Sequence, residues 1–376
     1  MKEAVKPKRL ASLDVLRGLD LWLLLMIGPV LHTFLGKGYG EGWDFIRFHA
    51  EHVSWEGFAL WDIIMPLFMF MSGITIPFSM GKYRNGIRPG RDFYLKLMKR
   101  FLLLFFLGWI AQGNLLKLDF KLFHPFANTL QAIAVGYVGA ALMFVHMKPK
   151  GQIALTSLLF LVYIAAFALS GMCLDPESNI AMSIDKAILG CHRDGVIWAE
   201  DGSWSFNPRY QYTWLLSSFN FIVTVMLGCF AGEIIRSKGD EPSTRKALTL
   251  AGTGAALVAA GLALSPFFPI IKKIWSSSMT LYSGGICFLL MAAVYYLIDV
   301  KGYWKRYRCF LYFGMNSITA YMIGNVIRFN SVTESLLHGF RNLTGDFYPV
   351  IISFGNVCIL FLIMRYLYRK NIFLKV

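Results

Sequence analysis

Residues 60–80 read LWDIIMPLFMFMSGITIPFSM, an apolar run with a single charge, Asp62, near its start. As an α-helix rising 1.5 Å per residue, a run of this length covers the roughly 30 Å of a bilayer's hydrocarbon core. Pro66, four residues after Asp62, removes one backbone hydrogen bond of that turn, and Gly73 permits close approach of a neighbouring helix. A charge at the membrane centre costs at least about 2.5 kcal/mol on insertion scales, so a helix that keeps an aspartate is built around something polar.

The rest of the chain extends this reading. It has 376 residues, of which 56% are hydrophobic and only 16% charged, with a mean hydropathy of +0.53. Soluble domains carry about 25% charge, so a soluble globular fold is excluded. Apolar runs near 12–34, 60–80, 101–116, 126–146, 152–171, 213–235, 247–268, 279–298, 309–327 and 347–367 predict an all-α, polytopic integral membrane protein of about ten transmembrane helices. The net charge of +15 then reports topology: with a cytoplasmic N-terminus the inner segments hold 25 Lys+Arg and the outer loops 11. Both termini are therefore expected in the cytoplasm. The first helix has no short core followed by a small-residue cleavage site and is expected to stay in the membrane. A single transmembrane domain over 1–376 is expected, with a hinge between two bundles at 236–246 and the longest outside loop at 172–212. Cys173 and Cys191 share that loop, where a disulfide on the oxidising side is expected; two free thiols are the alternative.

Three polar regions interrupt the apolar pattern. In Arg9–Asp20 (RLASLDVLRGLD), Asp14 and Arg17 share a helix face and can neutralise each other. Around His52-Val53-Ser54-Trp55-Glu56-Gly57, His52 is the side chain able to exchange protons near neutrality, with Trp55, Glu56 and Asp62 nearby. In Pro269–Ser278 (PIIKKIWSSS), Lys272 and Lys273 could meet an acidic ligand and Trp275 could stack on a sugar ring, although snorkelling lysines in an aromatic belt have the same composition. Asn316 and Ser317 open a further helix. No Walker A loop, strand-flanked GxGxxG, HExxH, CxxC pair or GxSxG occurs in the sequence. His32, His49 and His52 offer no closed metal spacing, so no metal is expected. The basic residues line membrane edges, so no nucleic acid is expected either.

The blocks RLASLDVLRG (9–18), HVSWEGFALWDIIMPLFMFMSG (52–73), TLQAIA (129–134), GCFAG (228–232), PIIKKIWSSS (269–278), DVKGYW (299–304) and GMNSI (314–318) follow one another in an order that resembles the heparan-α-glucosaminide N-acetyltransferase family, in particular its bacterial members. The resemblance implies a multi-pass protein of the bacterial inner membrane that takes the acetyl group of cytoplasmic acetyl-CoA. The group passes to the amino group of a glucosamine residue on the outer side, so the partners are the bilayer and an amino-sugar acceptor. A homodimer is the expected assembly. The family's catalytic histidine falls on His52. Where the animal members carry an asparagine in the first helix this chain has Gly28, and the arginine after Leu-Gln is replaced by Ala132.

The chemistry so implied needs a base for the attacking amine and stabilisation of the carbonyl oxygen. His52 can be that base, with Asp62 or Glu56 holding its tautomer, or can itself accept the acetyl group. Trp55, Lys272, Lys273 and Trp275 are the candidate acceptor-binding residues. Arg17, Arg100 and Lys301, with Lys96 and Lys99, are the candidates for the CoA phosphates, and Asn316 and Ser317 for the pantetheine amides. Two other readings stay open. The SLDVLRG stretch followed by His32 also looks like the integral membrane O-acyltransferases of envelope polysaccharide, and ten helices with intramembrane charges suit a sugar permease.

Overall fold

A computed structural model describes residues 10–36, 42–85, 87–113, 118–237 and 241–374. Arg9, residues 238–240 of the expected hinge, and 114–116 at the end of the third expected span lie outside the described residues. Helix takes up 74% of the chain. The one sheet among the described residues is a hairpin, Val196–Trp198 against Trp204–Phe206, with Ile197 opposite Ser205.

Eight helices among the described residues are long and apolar enough to cross a membrane. Those used below are α1 (Ala11–Leu35), α2 (Leu60–Arg84), α4 (Thr129–His146), α5 (Pro149–Leu169), α7 (Ser217–Arg236), α8 (Thr244–Leu264) and α9 (Ser277–Val300). The eighth runs through Tyr348–Arg369, here α12. Two expected spans take a different form. The run at 101–116 is the second half of α3 (Arg91–Gln112), whose first three turns carry Arg91, Lys96, Lys99 and Arg100. The run at 309–327 is broken at Met315-Asn316 into α10 (Arg308–Gly314) and α11 (Ser317–Val326). Outside the bundle, α6 (Ile180–Leu189) and the hairpin make up most of the 172–212 loop.

Local chemistry sets several boundaries. Asn128 caps α4 through the Leu130 amide at 2.9 Å, while Gln131 Oε1 reaches back to the amides of Ala127 and Asn128 at 2.6 and 3.0 Å. Pro66 falls in the first α-helical turn of α2, after the 3₁₀ turn Leu60–Ile63, where a missing N–H breaks no bond. The interior proline is Pro77, whose carbonyl accepts from Arg236 Nη1 at 2.6 Å.

Glycine decides which helices touch. A Cβ on Gly73 would lie 2.0 Å from the Val225 carbonyl oxygen, and one on Gly228 would lie 1.9 Å from that of Phe70. Thus α2 and α7 meet backbone to backbone, as small residues allow in a bilayer. Gly18 and Gly314 do the same for α1 and α10, with Cβ positions 1.9 Å from Phe310 O and 1.7 Å from Asp14 O.

The expected Cys173–Cys191 disulfide is absent: both are free thiols. Cys173 lies 3.5 Å from the Ser178 hydroxyl, and Cys191 sits in the turn Gly190–His192 beyond the far end of α6. The ten-residue helix between them is about 15 Å long, well beyond the Cα separation a disulfide tolerates.

Candidate active site

The site forms where the start of α2 meets two loops. Gly57 N donates to Ile270 O at 2.9 Å and Glu56 bridges Ile271, so the 52–57 and 269–278 loops run antiparallel for one step. The second loop is a tight turn held by serines: Ser276 and Ser278 hydroxyls both donate to Pro269 O at 2.8 Å, and Ser276 Oγ accepts from Ile271 N at 3.0 Å. Trp275 takes a positive φ of 54° to close it, a strained setting for a bulky residue. Burial of its ring against Phe221 and a 3.1 Å hydrogen bond from Nε1 to Thr224 Oγ1 hold it there.

This turn brings Lys272 onto His52 and Asp62. His52 Nδ1 lies 2.8 Å from Asp62 Oδ1, Lys272 Nζ lies 3.2 Å from the same oxygen, and Nζ and Nδ1 are 3.0 Å apart. Asp62 is 1% exposed, and its Oδ2 accepts from the Ala59 amide at 3.0 Å. A carboxylate only accepts hydrogen bonds, so Nδ1 carries the imidazole proton and Nε2 presents its lone pair. The His52 side chain is 44% exposed, so a substrate can reach it. Lys272 is 8% exposed; burial pulls its ammonium down to about 8, against the opposing pull of Asp62.

His52, Lys272, Trp61, Asn128, Tyr212 and Asp194 are among the walls of a cavity of about 310 Å³. Phe68, Thr129 and Tyr321 are shared with a second cavity of about 370 Å³, which Arg17, Arg100 and Ser317 also line. Arg17 and Arg100 are shared in turn with a third, of about 640 Å³, ringed by Lys82, Lys96 and Lys99. The three therefore adjoin in series along α2, from Trp61 at its start to Ser79 and Met80 at its end. Asp62 and Ser79 are about 26 Å apart along that helix axis.

Several candidates lie elsewhere. Glu56 is exposed and contributes its backbone, so the partner of His52 is Asp62. Trp275 is 2% exposed and packs inside the bundle, which removes it as a sugar platform. Trp55 packs on the cluster around Tyr163 and Phe268, its Nε1 donating to Leu174 O at 3.0 Å. Lys273 donates to Gln211 Oε1 at 2.8 Å, away from the cavity wall. Asn316, 1% exposed, holds the C-terminal tail through Ile372 O at 2.9 Å and Leu374 N at 3.2 Å rather than lining the path. Lys301 is exposed, its ammonium 5.4 Å above the Tyr296 ring. His32 packs edge-on to Trp61 at 5.2 Å and does not line the His52 cavity. A Cβ on Gly28 would lie 2.5 Å from the Trp61 ring, so the indole occupies the space that an asparagine there would need.

Sequence reading missed Asn128, Asp194, Tyr210 and Tyr212. Asn128 precedes the TLQAIA block directly and forms the α4 capping box, a legible signal; it also accepts from the Tyr321 hydroxyl at 3.1 Å. Asp194 and the two tyrosines belong to the 172–212 loop, which carries no motif. Burial raises the Tyr212 hydroxyl to about 12, helped by the Asp62 charge, and burial also raises Asp194. Among the described residues no group of three or more His, Cys, Asp or Glu is placed to hold a metal.

No protein-family profile matches the chain. Curated relatives do match. Heparan-alpha-glucosaminide N-acetyltransferase of Mus musculus is 26% identical over 368 residues, covering 84% of this chain and 53% of that protein. The Homo sapiens protein of the same name is 25% identical over 370 residues, covering 84% and 52%. The similarity to those transferases runs over most of this chain. It spans about half the length of the curated relatives it matches. The blocks that carry the resemblance meet in pairs: Gly18 of the first with Gly314 of the last, Gly73 with the GCFAG stretch, and the His52 loop with the Lys272 turn.

Proposed function

We propose that this chain is a membrane N-acetyltransferase of a bacterial inner membrane, which moves the acetyl group of cytoplasmic acetyl-CoA onto the amino group of a glucosamine residue on the outer side. One observation carries the reading: His52 and Lys272, both paired with the buried Asp62, line the first of three adjoining cavities, and the last is ringed by Arg17, Lys82, Lys96, Lys99 and Arg100. Charged CoA phosphates suit the basic end, where Arg17 and Arg100 mark the entrance to the narrower middle cavity. A thioester arm lying through the middle cavity reaches the histidine without the nucleotide crossing the membrane.

At that end the acceptor nitrogen forms a bond to the thioester carbonyl carbon and the C–S bond breaks. His52 Nε2 takes the proton the amine loses and returns it to the departing thiolate, while Asp62 stabilises the imidazolium formed between. Lys272 Nζ stands 3.0 Å from Nδ1 and 3.2 Å from Asp62 Oδ1, so it holds the carboxylate in place behind the imidazole. His32 is not among the residues lining this cavity, which weighs against the O-acyltransferase reading.

The test is CoA release by the detergent-purified protein given acetyl-CoA, with and without glucosamine, comparing wild type with His52→Ala. Glucosamine-dependent thiol release that disappears in the variant is expected. A folded wild type that releases no CoA with any amino sugar would overturn the assignment and leave the O-acyltransferase and the permease.

A further inference from the structure

Resting on the reading above, we propose that the face formed by Asp194, Tyr210 and Tyr212 is the acceptor subsite, where the Asp194 carboxylate accepts hydrogen bonds from the hydroxyls of the amino sugar.

The face is assembled with care for a loop. Arg193 is fully buried, and its guanidinium goes to backbone: Nη1 to Asp194 O at 3.4 Å, Nη2 to Tyr210 O at 3.3 Å and to Tyr212 O at 3.0 Å. It thus ties together the two stretches that supply the three side chains. Gly195 follows with φ of 81°, and a Cβ there would lie 2.3 Å from Tyr210 Cγ, so only glycine lets the Tyr210 ring pack on that turn. Gly195 N in turn donates to Asp194 Oδ1 at 3.1 Å, and the Tyr210 hydroxyl bonds the same carboxylate. The Tyr210 and Tyr212 rings stand 5.9 Å apart, and Tyr212 lies close enough to Asp62 to feel its charge. Asp194, the tyrosines and the catalytic cluster therefore form one continuous wall of the 310 Å³ cavity.

Several of the other polar groups on or behind this wall are already matched. Asp62 is already matched by His52 and Lys272, Gln112 Nε2 is spent on Ala127 O at 2.5 Å, and Asn128 is spent on the α4 cap. Asp194 brings a carboxylate whose second oxygen can accept further hydrogen bonds, with His124 and Arg193 the basic groups near it. A carboxylate beside two tyrosines is the composition that grips a polyhydroxylated ring: charged acceptors for its hydroxyls and aromatic surface for its C–H face. The wall belongs to the 172–212 loop, whereas the basic cavity lies at the other end of α2. It is thus on the acceptor's side of the reaction and not the donor's.

The experiment measures KM for glucosamine and for acetyl-CoA, and kcat, in wild type, Asp194→Ala and Asp194→Asn, with ethanolamine as an amine that has no ring. Loss of hydrogen bonds to a charged group predicts a glucosamine KM raised about tenfold or more in both variants. The acetyl-CoA KM, kcat at saturation and the ethanolamine rate are expected to stay within about twofold of wild type. Asn keeps an oxygen for the Gly195 amide, so Asp194→Asn reports even where the alanine variant does not fold. An unchanged glucosamine KM in Asp194→Asn, or equal losses with glucosamine and ethanolamine, would overturn the assignment. Glucosamine titration without acetyl-CoA, followed by tyrosine and tryptophan fluorescence, separates the two proposals. Binding that Asp194→Asn abolishes supports the subsite even if no transfer occurs, and binding that it leaves intact refutes the subsite whatever the chemistry.

Discussion

Replacing Asp62 by asparagine removes one charge from a triangle of three polar groups and keeps its shape. At 3.2 Å and an effective dielectric of about 20, the lost attraction to Lys272 has an upper bound of about 5 kcal/mol. The lysine escapes most of that by giving up its proton. Its ammonium is held at about 8 in the wild type, so neutralising it at pH 7 costs only about 1.4 kcal/mol. The sign follows from proton counting. An unfolded lysine titrates near 10.4, so between about pH 8 and 10.4 the unfolded chain holds more protons and wild-type stability rises with pH. In Asp62→Asn the folded lysine titrates lower still, so the rise begins at lower pH. The part of the stability deficit due to lysine is therefore nearly 3 kcal/mol at pH 6, about 1.4 kcal/mol at pH 7 and close to zero at pH 9. Added to this is a pH-independent loss for the weakened hydrogen bonds, about 1.5–3 kcal/mol. Activity should not recover in parallel. The Ala59 amide requires an oxygen at the Oδ2 position, which turns the asparagine NH₂ toward His52 Nδ1. Nδ1 must then accept, Nε2 takes the proton, and the base is lost; comparable changes behind a catalytic histidine lower kcat on the order of 10⁴-fold. Thermal unfolding in detergent at pH 6, 7 and 9, beside CoA release, reads both effects. A melting deficit that is the same at pH 6 and pH 9 would refute the coupling of Lys272 to Asp62.

Arg100→Gln should raise the acetyl-CoA KM about tenfold and leave the glucosamine KM alone, because Arg100 lines both basic cavities and stacks 3.8 Å over Tyr137 far from His52; steady-state kinetics with each substrate varied in turn decides it. Gly228→Ala forces a methyl to within 1.9 Å of Phe70 O and should cost about 3 kcal/mol or the fold itself, whereas Gly252→Ala meets nothing within 4 Å and should be neutral; melting temperatures of the pair check this. His32→Ala should retain wild-type kcat, since that ring packs on Trp61 outside the cavity, and a loss like that of His52→Ala would revive the O-acyltransferase reading.

The all-α membrane class was legible because it rests on a one-dimensional property, apolar runs matched to bilayer thickness. What escaped was how two runs begin or break. The third begins ten residues before its apolar run, at Arg91, its first turns holding the basic residues of a cavity mouth, and the ninth breaks where Asn316 bonds the distant tail. At the site the same boundary applies. His52 and Asp62 are ten residues apart and could be suspected together, but the choice between Asp62 and Glu56 depended on a 3₁₀ turn that points one carboxylate inward. Lys272 was legible as a polar residue facing the site and illegible as a partner, since it lies 220 positions away and arrives through a serine-stapled turn. Trp275 was misread for a related reason: composition assigns an aromatic residue near a lysine to a ligand, whereas here its ring is the wedge that shapes the turn. The recognisable blocks thus divide into two physical kinds. Those with Gly18, Gly73, Gly228 and Gly314 set how closely helices approach, and those with His52 and Lys272 place polar atoms; the second kind holds its 3 Å geometry only because the first fixes the bundle around it. The 172–212 loop that carries Asp194 belongs to neither kind. On the proposed reading, substitution there would change the acceptor and leave the transfer chemistry in place, so the face around Asp194 is where specificity should be sought.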